Sequence, residues 1–206
     1  RQNDPRQDQR YIFDMANAMR FHTYEDAIAR HDGKLIHFLD MVGLCGYWDP
    51  TPDRKHTSGD FTCFVVGMKD THGYLYVLDA YCKQEPSVDV AMDAIVDLIW
   101  RWQIPTVGIE SNGFASLLTN ELRRKIADRA AQEHIPWAVT FLSITNTRNK
   151  ILRIKSLDPL IANGWLAFSE TLPEAFLQQF RDFIPIEGLN KFDDAPDAVE
   201  GMARVL

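Results

Sequence analysis

Apolar and polar residues in the first half of the chain alternate in the manner of β-strands joined by turns. Three apolar runs stand out there, and polar or turn-forming residues bound each of them: Met41–Trp48, Phe61–Met68 and Tyr74–Tyr81. The sequence DTHG at Asp70–Gly73 separates the last two runs and is typical of a hairpin turn. Because a tight turn joins antiparallel neighbours, we predict that these first three strands are antiparallel.

The pattern then changes to helical repeats that alternate with shorter apolar runs. Pro86-Ser87 ends the third strand and offers an N-cap for a helix at Val88–Gln103, whose apolar residues fall on one face. A strand at Thr106–Glu110, a helix at about 114–133 and a strand at Val139–Leu142 follow. Since helical crossovers join parallel strands, we predict an α/β protein with a mixed five-stranded sheet and helices on both faces. This connectivity matches the ribonuclease H-like fold.

Both ends of the chain are predicted to be helical. Tyr11–Arg30 has a loose helical spacing, which predicts one or two short helices, so that residues 1–40 form a linker or helical appendage to a main domain at 41–206. Asn149–Gly164 predicts an amphipathic helix with its basic residues mostly outward. Pro196 predicts a final helix that starts near Ala195 or Pro196, because proline favours the first helical turn.

The composition is that of an ordinary globular protein, with 46% hydrophobic and 25% charged residues in a chain of 206. No apolar run approaches the roughly 20 residues that a membrane-spanning helix needs. The polar start RQNDPRQDQR lacks the apolar centre of a signal peptide, and without an initiator Met it looks like a piece of a longer chain. Cys45, Cys63 and Cys82 form no C-x-x-C pair, so we expect buried, reduced thiols and no zinc or disulfide framework.

The formal net charge of −7 argues against a simple nucleic-acid coat, which is normally basic. It leaves open an enzyme whose acidic cleft is neutralised by divalent cations. The distribution of charge matters more than its total. Acids gather near Asp49, near Glu110 and at 193–197, whereas bases gather at 123–129 and 148–155.

Carboxylates occur at three places that the predicted fold brings to one point. Asp49 ends the first of the five strands, Glu110 ends the fourth, and Asp193, Asp194 and Asp197 open the final helix. A lone acid before a proline could simply open a turn. Three acids in the order that the ribonuclease H-like fold requires predict a shared site instead.

Such a cluster suits phosphodiester hydrolysis with metal ions. Two divalent ions about 3.5–4 Å apart can generate an attacking hydroxide and stabilise the leaving oxygen. Mg²⁺ prefers oxygen ligands and is held by a few carboxylates together with substrate phosphate. Asp49 is the natural bridging ligand, with Glu110 and the helix carboxylates beside it. In contrast, His22, His31 and His37 have no partner at metal-ligand spacing, and we interpret them as ordinary surface or linker residues.

Four segments resemble, in order, the C-terminal nuclease domain of the tailed-bacteriophage terminase large subunit: GYWDPTP…SGDFTCFVVG, GIESNGF, NTRNKILRIKSLDPLIANGWLAF and KFDDAPDAVEGM. The similarity covers about 41–206. It implies a ribonuclease H-like endonuclease that binds Mg²⁺ or Mn²⁺, with two ions, and cuts concatemeric double-stranded viral DNA during head filling. It further implies that Asp49, Glu110 and the DDAPDA acids carry the metals, with Asp60 as an extra ligand or as a partner of a ligand.

The resemblance also implies partners and a location. The partners are double-stranded DNA, the terminase small subunit and the portal protein, in the cytoplasm of a host bacterium. In that family a packaging ATPase precedes the nuclease domain. This sequence has no G-x-x-x-x-G-K-[ST] loop, since Gly33-Lys34 lacks the rest of it, so the ATPase is expected upstream of Arg1 or was removed.

Three bases flank the predicted acidic site. Arg148, Lys150 and Arg153 fall at or in the helix predicted for Asn149–Gly164. Each could simply belong to a solvated helix face. Because these three and Lys155 cluster in an otherwise acidic chain, we interpret the three as contacts to DNA phosphates, through which the protein would bind DNA with little sequence preference.

The acids of the final helix are not expected to be equivalent. Asp197 lies three residues after Asp194, so the two can share a face. We therefore expect both to point at Asp49 and Glu110 as catalytic residues. Asp193 is expected to be more exposed, or to cap the helix.

Two alternatives stay open. Another ribonuclease H-like nuclease, such as a junction resolvase or an integrase relative, would prefer four-way junctions to linear duplex. A catalytically silent module that docks on the portal or small subunit would not bind Mn²⁺.

Overall fold

A computed structural model describes residues 11–50, 61–84, 87–111 and 115–206. The strands are β1 (Arg20–Thr23), β2 (Ala27–Arg30), β3 (Leu35–His37), β4 (Met41–Asp49), β5 (Thr62–Asp70), β6 (Leu75–Lys83), β7 (Thr106–Glu110), β8 (Thr140–Ile144) and β9 (Leu166–Ser169). The helices are α1 (Val88–Arg101), α2 (Ala115–Gln132), α3 (Lys150–Lys155), α4 (Asp158–Ala162), α5 (Glu174–Arg181) and α6 (Asp194–Val205), with a short 3₁₀ helix at Phe38–Asp40.

The strands form one mixed sheet in the order β3-β2-β1-β9-β6-β5-β4-β7-β8. β4, β5 and β6 are antiparallel neighbours, whereas β7 and β8 continue parallel to β4. The predicted antiparallel-then-parallel order is therefore confirmed. The predicted count of five strands was too low, because the described residues contain nine.

The helices predicted within Tyr11–Arg30 are wrong, because this stretch contributes two strands to the sheet. β1 pairs with β2 in a hairpin and lies parallel to β9, and β3 completes this side of the sheet. Tyr24, which belonged to the apolar face of the predicted helix, is exposed. Phe21, which did not belong to that face, is fully buried. Pairing with β9, in which Arg20 lies opposite Phe168, determined the structure of this stretch more strongly than its local spacing did.

Hydrophobic residues cover both faces of the sheet, in agreement with the prediction of helices on both faces. On one face, Tyr47 of β4 belongs to the cluster that includes α5 and α6. On the other face, Trp48 belongs to the cluster around α1. The Ser87 side chain accepts a hydrogen bond of 3.1 Å from the backbone of Asp89, so the predicted N-cap of α1 is confirmed.

Two helical predictions near the end of the chain need revision. The helix expected at Asn149–Gly164 is divided into α3 and α4, with Pro159 in the first turn of α4. Within α3, Leu152 is 65% exposed. Arg153 is buried, contrary to the outward position predicted for it. The final helix starts one residue earlier than expected, at Asp194.

The last helix, α6, packs against β4 and β5 at very short range. A Cβ atom added at Gly201 would lie 2.1 Å from Cζ of Tyr47, so only glycine lets the helix approach this ring. The prediction of buried, reduced thiols is confirmed, since Cys45, Cys63 and Cys82 are all buried and form no disulfide. No helix within the described ranges is long and apolar enough to cross a membrane.

Candidate metal centre

Three carboxylates from distant parts of the chain meet beside the sheet. Asp49 ends β4, Glu110 ends the parallel neighbour β7, and Asp197 lies in the first turn of α6. One carboxylate oxygen from each lies within 4.8 Å of the other two. We call these three residues the acidic trio. The register Trp48↔Ile109 explains the first pair, because it places the next residue of each strand side by side.

The acidic trio is electrostatically crowded. Burial raises the pKa of Asp49 well above its usual range, and the charges of Glu110 and Asp197 raise it further. Burial also raises the pKa of Asp197, against the opposing influence of Lys150 and Arg153. Carboxylates that disfavour one another's ionisation are stabilised by a shared cation. The donor set consists of oxygen atoms alone, so it fits a hard divalent cation such as Mg²⁺ or Mn²⁺.

Two bases from α3 compensate part of this negative charge. Nζ of Lys150 lies 2.7 Å from Oδ1 of Asp193 and 3.3 Å from Oδ2 of Asp197. Nη1 of Arg153 lies 2.7 Å from Oδ1 of Asp197 and 2.5 Å from Oε2 of Glu200. Burial acts to lower the pKa of Lys150, but Asp197 and Asp193 outweigh it and raise the pKa.

Asp193 and Asp194 lie outside the acidic trio. Oδ2 of Asp194 accepts a hydrogen bond of 3.1 Å from the backbone of Phe61, and the residue is buried. The side chain of Asp193 is 22% exposed against 4% for Asp197, as predicted. Asp193 does not cap the helix with its side chain. Instead, Gln179 accepts a hydrogen bond of 2.8 Å from the backbone of Ala195.

The remaining predicted residues are placed as follows. Asp60 lies outside the described residues. Arg148 lines a cavity of about 590 Å³ together with Arg153 and Arg204. Because Glu200 also lines this cavity and contacts Arg153, the cavity borders the side chains that surround the trio. Two of the arginines that line the cavity, Arg153 and Arg204, form ion pairs with Glu200, so the predicted contacts to DNA phosphates stay a prediction.

Three further residues at the site were not identified from the sequence. Nδ2 of Asn146 donates a 2.6 Å hydrogen bond to Oε1 of Glu110, and Oδ1 of Asn146 accepts one of 2.7 Å from Arg204. Asn146 follows β8, so the rule that identified Glu110 at the end of β7 could have found it. Glu200 lies three residues after Asp197 on the same helix face, so helical spacing could also have identified it.

Tyr47 is the third. It precedes Asp49 by two residues and therefore shares its face of β4. Its hydroxyl is buried and has no hydrogen-bond partner among the described residues. Burial, followed by the charges of Glu110 and Asp49, raises its pKa. No pattern of charge or spacing distinguished this tyrosine from an ordinary core residue.

Residues 46–202 match the sequence model of the terminase RNaseH-like domain. The chain belongs to the family of terminase RNase H-like domains. The matched range contains the whole acidic trio together with Lys150 and Arg153. A comparison with curated protein sequences found no match.

Solved structures of terminase nuclease domains share this fold. The human cytomegalovirus terminase nuclease domain is 15% identical with a TM-score of 0.55, and the match covers 80% of this chain and 82% of that one. A manganese-soaked structure of the same domain is 16% identical with a TM-score of 0.53, covering 79% and 80%. A mutant of the bacteriophage Sf6 large terminase subunit with calcium is 12% identical with a TM-score of 0.51, covering 78% and 87%. The predicted ribonuclease H-like fold is therefore confirmed.

Proposed function

We propose that this terminase RNase H-like domain is a metal-dependent endonuclease that cuts double-stranded viral DNA during genome packaging. The observation that carries the proposal is the acidic trio, because three carboxylates from β4, β7 and α6 converge within 4.8 Å. Family membership supports it, as do the manganese- and calcium-containing structures of similar terminase domains. Cys63 lies opposite Asp49 in the sheet, but it is fully buried and burial raises the pKa of its thiol, so it is a poor nucleophile.

Asp49, Glu110 and Asp197 would hold the metal, with Mg²⁺ or Mn²⁺ as the cation and two ions as the expected number. Asp194 is a further candidate ligand because it lies in the first turn of α6 with Asp197. Asp60, which lies outside the described residues, is a candidate from the resemblance to terminases alone. Bound divalent ions would activate a water molecule and neutralise charge on the phosphate.

Neighbouring side chains hold the trio in place. Asn146 fixes one oxygen of Glu110 through its amide, which keeps the other oxygen available for a cation. Arg153 ties Asp197 to Glu200 and so fixes the first turn of α6 against α3. Because Arg153 is buried in these ion pairs, its proposed role changes from DNA contact to positioning. Arg148 and Lys150 stay candidates for contact with DNA phosphates.

The wider context is proposed from the family alone. A terminase nuclease would act with a packaging ATPase, the small subunit and the portal protein, in the cytoplasm of an infected bacterium. The net charge of −7 does not oppose DNA binding, because the distribution of charge matters more than its total and Arg148 lines the cavity that borders the trio.

Cleavage of supercoiled plasmid tests the proposal. Wild-type protein should nick and linearise the plasmid with Mn²⁺ or Mg²⁺ and be inactive in EDTA. Asp197→Asn should reduce the rate by more than the roughly 10–100-fold that losing an outer partner of a metal ligand costs. We expect Asp193→Asn to cost much less, and Asp26→Asn, at a side chain 83% exposed, to change nothing. A four-way junction serves as the competing substrate.

Undiminished cleavage in EDTA would refute the metal mechanism. A strong preference for the junction over linear duplex would favour a resolvase instead. Failure of the folded protein to cut any of these substrates would favour a docking module.

A further inference from the structure

Two histidines and a glutamate meet on the surface at a second place in the sheet. His22 lies in β1, His31 directly follows β2, and Glu170 directly follows β9. One ligand atom from each of the three lies within 4.8 Å of the other two. The two histidines are exposed, as the interpretation of them as surface residues expected, but they meet a glutamate almost 150 positions later in the chain. We call this set the histidine cluster.

The histidine cluster is separate from the acidic trio. In the sheet, β1 is separated from β4 by β9, β6 and β5. Four steps between strands of about 4.8 Å each amount to about 19 Å. The two sets also differ in chemistry, since the trio contains oxygen donors alone and the histidine cluster contains two imidazoles.

One carboxylate bridges the two imidazole rings. Oε2 of Glu170 lies 2.9 Å from Nδ1 of His22, and Oε1 contacts Nε2 of His31. The ring centroids of His22 and His31 are 5.8 Å apart. An exposed ion pair of this kind contributes about 0–1 kcal/mol, so stability alone gives little reason for two histidines to share one acid.

The sheet fixes the positions of all three residues. His31 donates its backbone N–H to the carbonyl of Arg20 at 2.9 Å, and Glu170 donates to the carbonyl of Phe21 at 3.1 Å. His22 lies opposite Ala29 in the β1–β2 hairpin. The side chains therefore extend from a rigid frame of three strands, and binding a cation would cost little backbone ordering.

The geometry suits tetrahedral coordination by nitrogen and oxygen. With metal–ligand distances of about 2.0–2.2 Å, neighbouring ligand atoms in a tetrahedral site lie about 3.4 Å apart. Ligand atoms already within 4.8 Å reach that spacing by small rotations of side chains. These rotations are free, because the side chains of His22, His31 and Glu170 are 58%, 49% and 32% exposed.

We propose that the histidine cluster binds a first-row transition-metal ion of the Zn²⁺ class through His22, His31 and Glu170. Two histidines and a glutamate form a known zinc donor set, and three protein ligands leave a fourth position for water. The ion would connect the β1–β2 hairpin to β9 and so stabilise the attachment of the first strands. Arg20, whose guanidinium donates to the carbonyl of Ser169 at 2.9 Å, is a positive neighbour of Glu170 that weakens the site.

Calorimetric titration of the chain with Zn²⁺ tests the proposal. The protein carries no polyhistidine tag. Excess Mg²⁺ is present to compete for the acidic trio, because magnesium prefers oxygen ligands. Wild-type protein should bind one Zn²⁺ at this site. His22→Ala and His31→Ala should each weaken this binding by more than the roughly 10–100-fold cost of losing an outer partner of a ligand. His37→Ala is the matched control, because its side chain is 52% exposed and lies outside the cluster.

A second variant separates this site from the acidic trio. Asp49→Asn should keep the zinc site intact, whatever it does to cleavage. Circular dichroism and the zinc-free unfolding temperature show whether the histidine variants fold. Zn²⁺ should raise the unfolding temperature of wild-type protein but not that of His22→Ala or His31→Ala. Absence of zinc binding by wild-type protein, unchanged affinity in both histidine variants, or loss of binding in Asp49→Asn would each overturn the proposal.

Discussion

Replacing Asp49 with asparagine should stabilise the metal-free protein. The substitution preserves the size of the side chain and removes one negative charge from the acidic trio. Without a cation, ionised Asp49 is repelled by Glu110 and Asp197, and its pKa is raised for this reason and by burial. A residue that the proposed function requires should therefore reduce stability when no metal is present.

The distances set the scale of this effect. Two unit charges 4.8 Å apart repel by about 3.5 kcal/mol at an effective dielectric constant of about 20. Lys150 and Arg153 offset much of the repulsion, and partial protonation of Asp49 relieves more. We therefore expect a net gain of about 1–2 kcal/mol for Asp49→Asn. In a chain of this size, that gain raises the unfolding temperature by about 2–8 °C.

The gain should depend on pH in a definite direction. A group whose pKa is raised by folding favours the folded state at low pH, and this contribution is lost as the pH rises through the raised value. Wild-type protein therefore loses stability relative to Asp49→Asn as the pH increases. The difference should be small near pH 4 and should grow toward neutral pH.

Thermal unfolding in EDTA over a series of pH values measures this difference. Asp26→Asn is the control, and it should shift the unfolding temperature by no more than about 1–2 °C. Adding Mn²⁺ should raise the unfolding temperature of wild-type protein more than that of Asp49→Asn. A variant that is less stable than wild type in EDTA at neutral pH, or a gain that is independent of pH, would refute the reasoning.

Three further substitutions test the surroundings of the site. Arg153→Ala should destabilise the protein by about 3–5 kcal/mol, because it removes the buried guanidinium that pairs with both Asp197 and Glu200; denaturant unfolding that shows less than 1 kcal/mol would contradict this. Lys150→Ala should weaken DNA binding and reduce its salt dependence by about one counterion, and an unchanged salt slope would exclude a phosphate contact. Gly201→Ala should destabilise by about 1–3 kcal/mol through its clash with Tyr47, whereas a gain in stability would show that the helix can move away.

The acids of the site could be predicted because their placement follows from local rules. Asp49 and Glu110 end apolar strands that pair in parallel, so their side chains are neighbours wherever the strands start. Asp197 followed from its position in the first helical turn. Asp194 could not be ranked by the same rule, because its hydrogen bond to Phe61 depends on how α6 meets β5.

The first strands and the role of Arg153 could not be predicted in this way. β1 exists because it pairs with β9, and nothing in Tyr11–Arg30 encodes that distant partner. Arg153 was expected to face solvent because a single helix at Asn149–Gly164 would place it there. The chain instead divides that helix, and the buried acids of α6 form ion pairs with the guanidinium.

The histidine cluster was missed for the same reason. His22 and His31 are separated by nine positions, which is no known ligand spacing, and Glu170 is distant from both in sequence. Only the order β2-β1-β9 in the sheet places their side chains together.

A crystal soaked in Mn²⁺ tests the central claim most directly, because anomalous scattering locates the ion. We predict manganese bound to carboxylate oxygens of Asp49, Glu110 and Asp197, with the ion absent from crystals of Asp49→Asn. Manganese density that is absent from the acidic trio of the wild-type crystal, or that persists unchanged in Asp49→Asn, would contradict the claim.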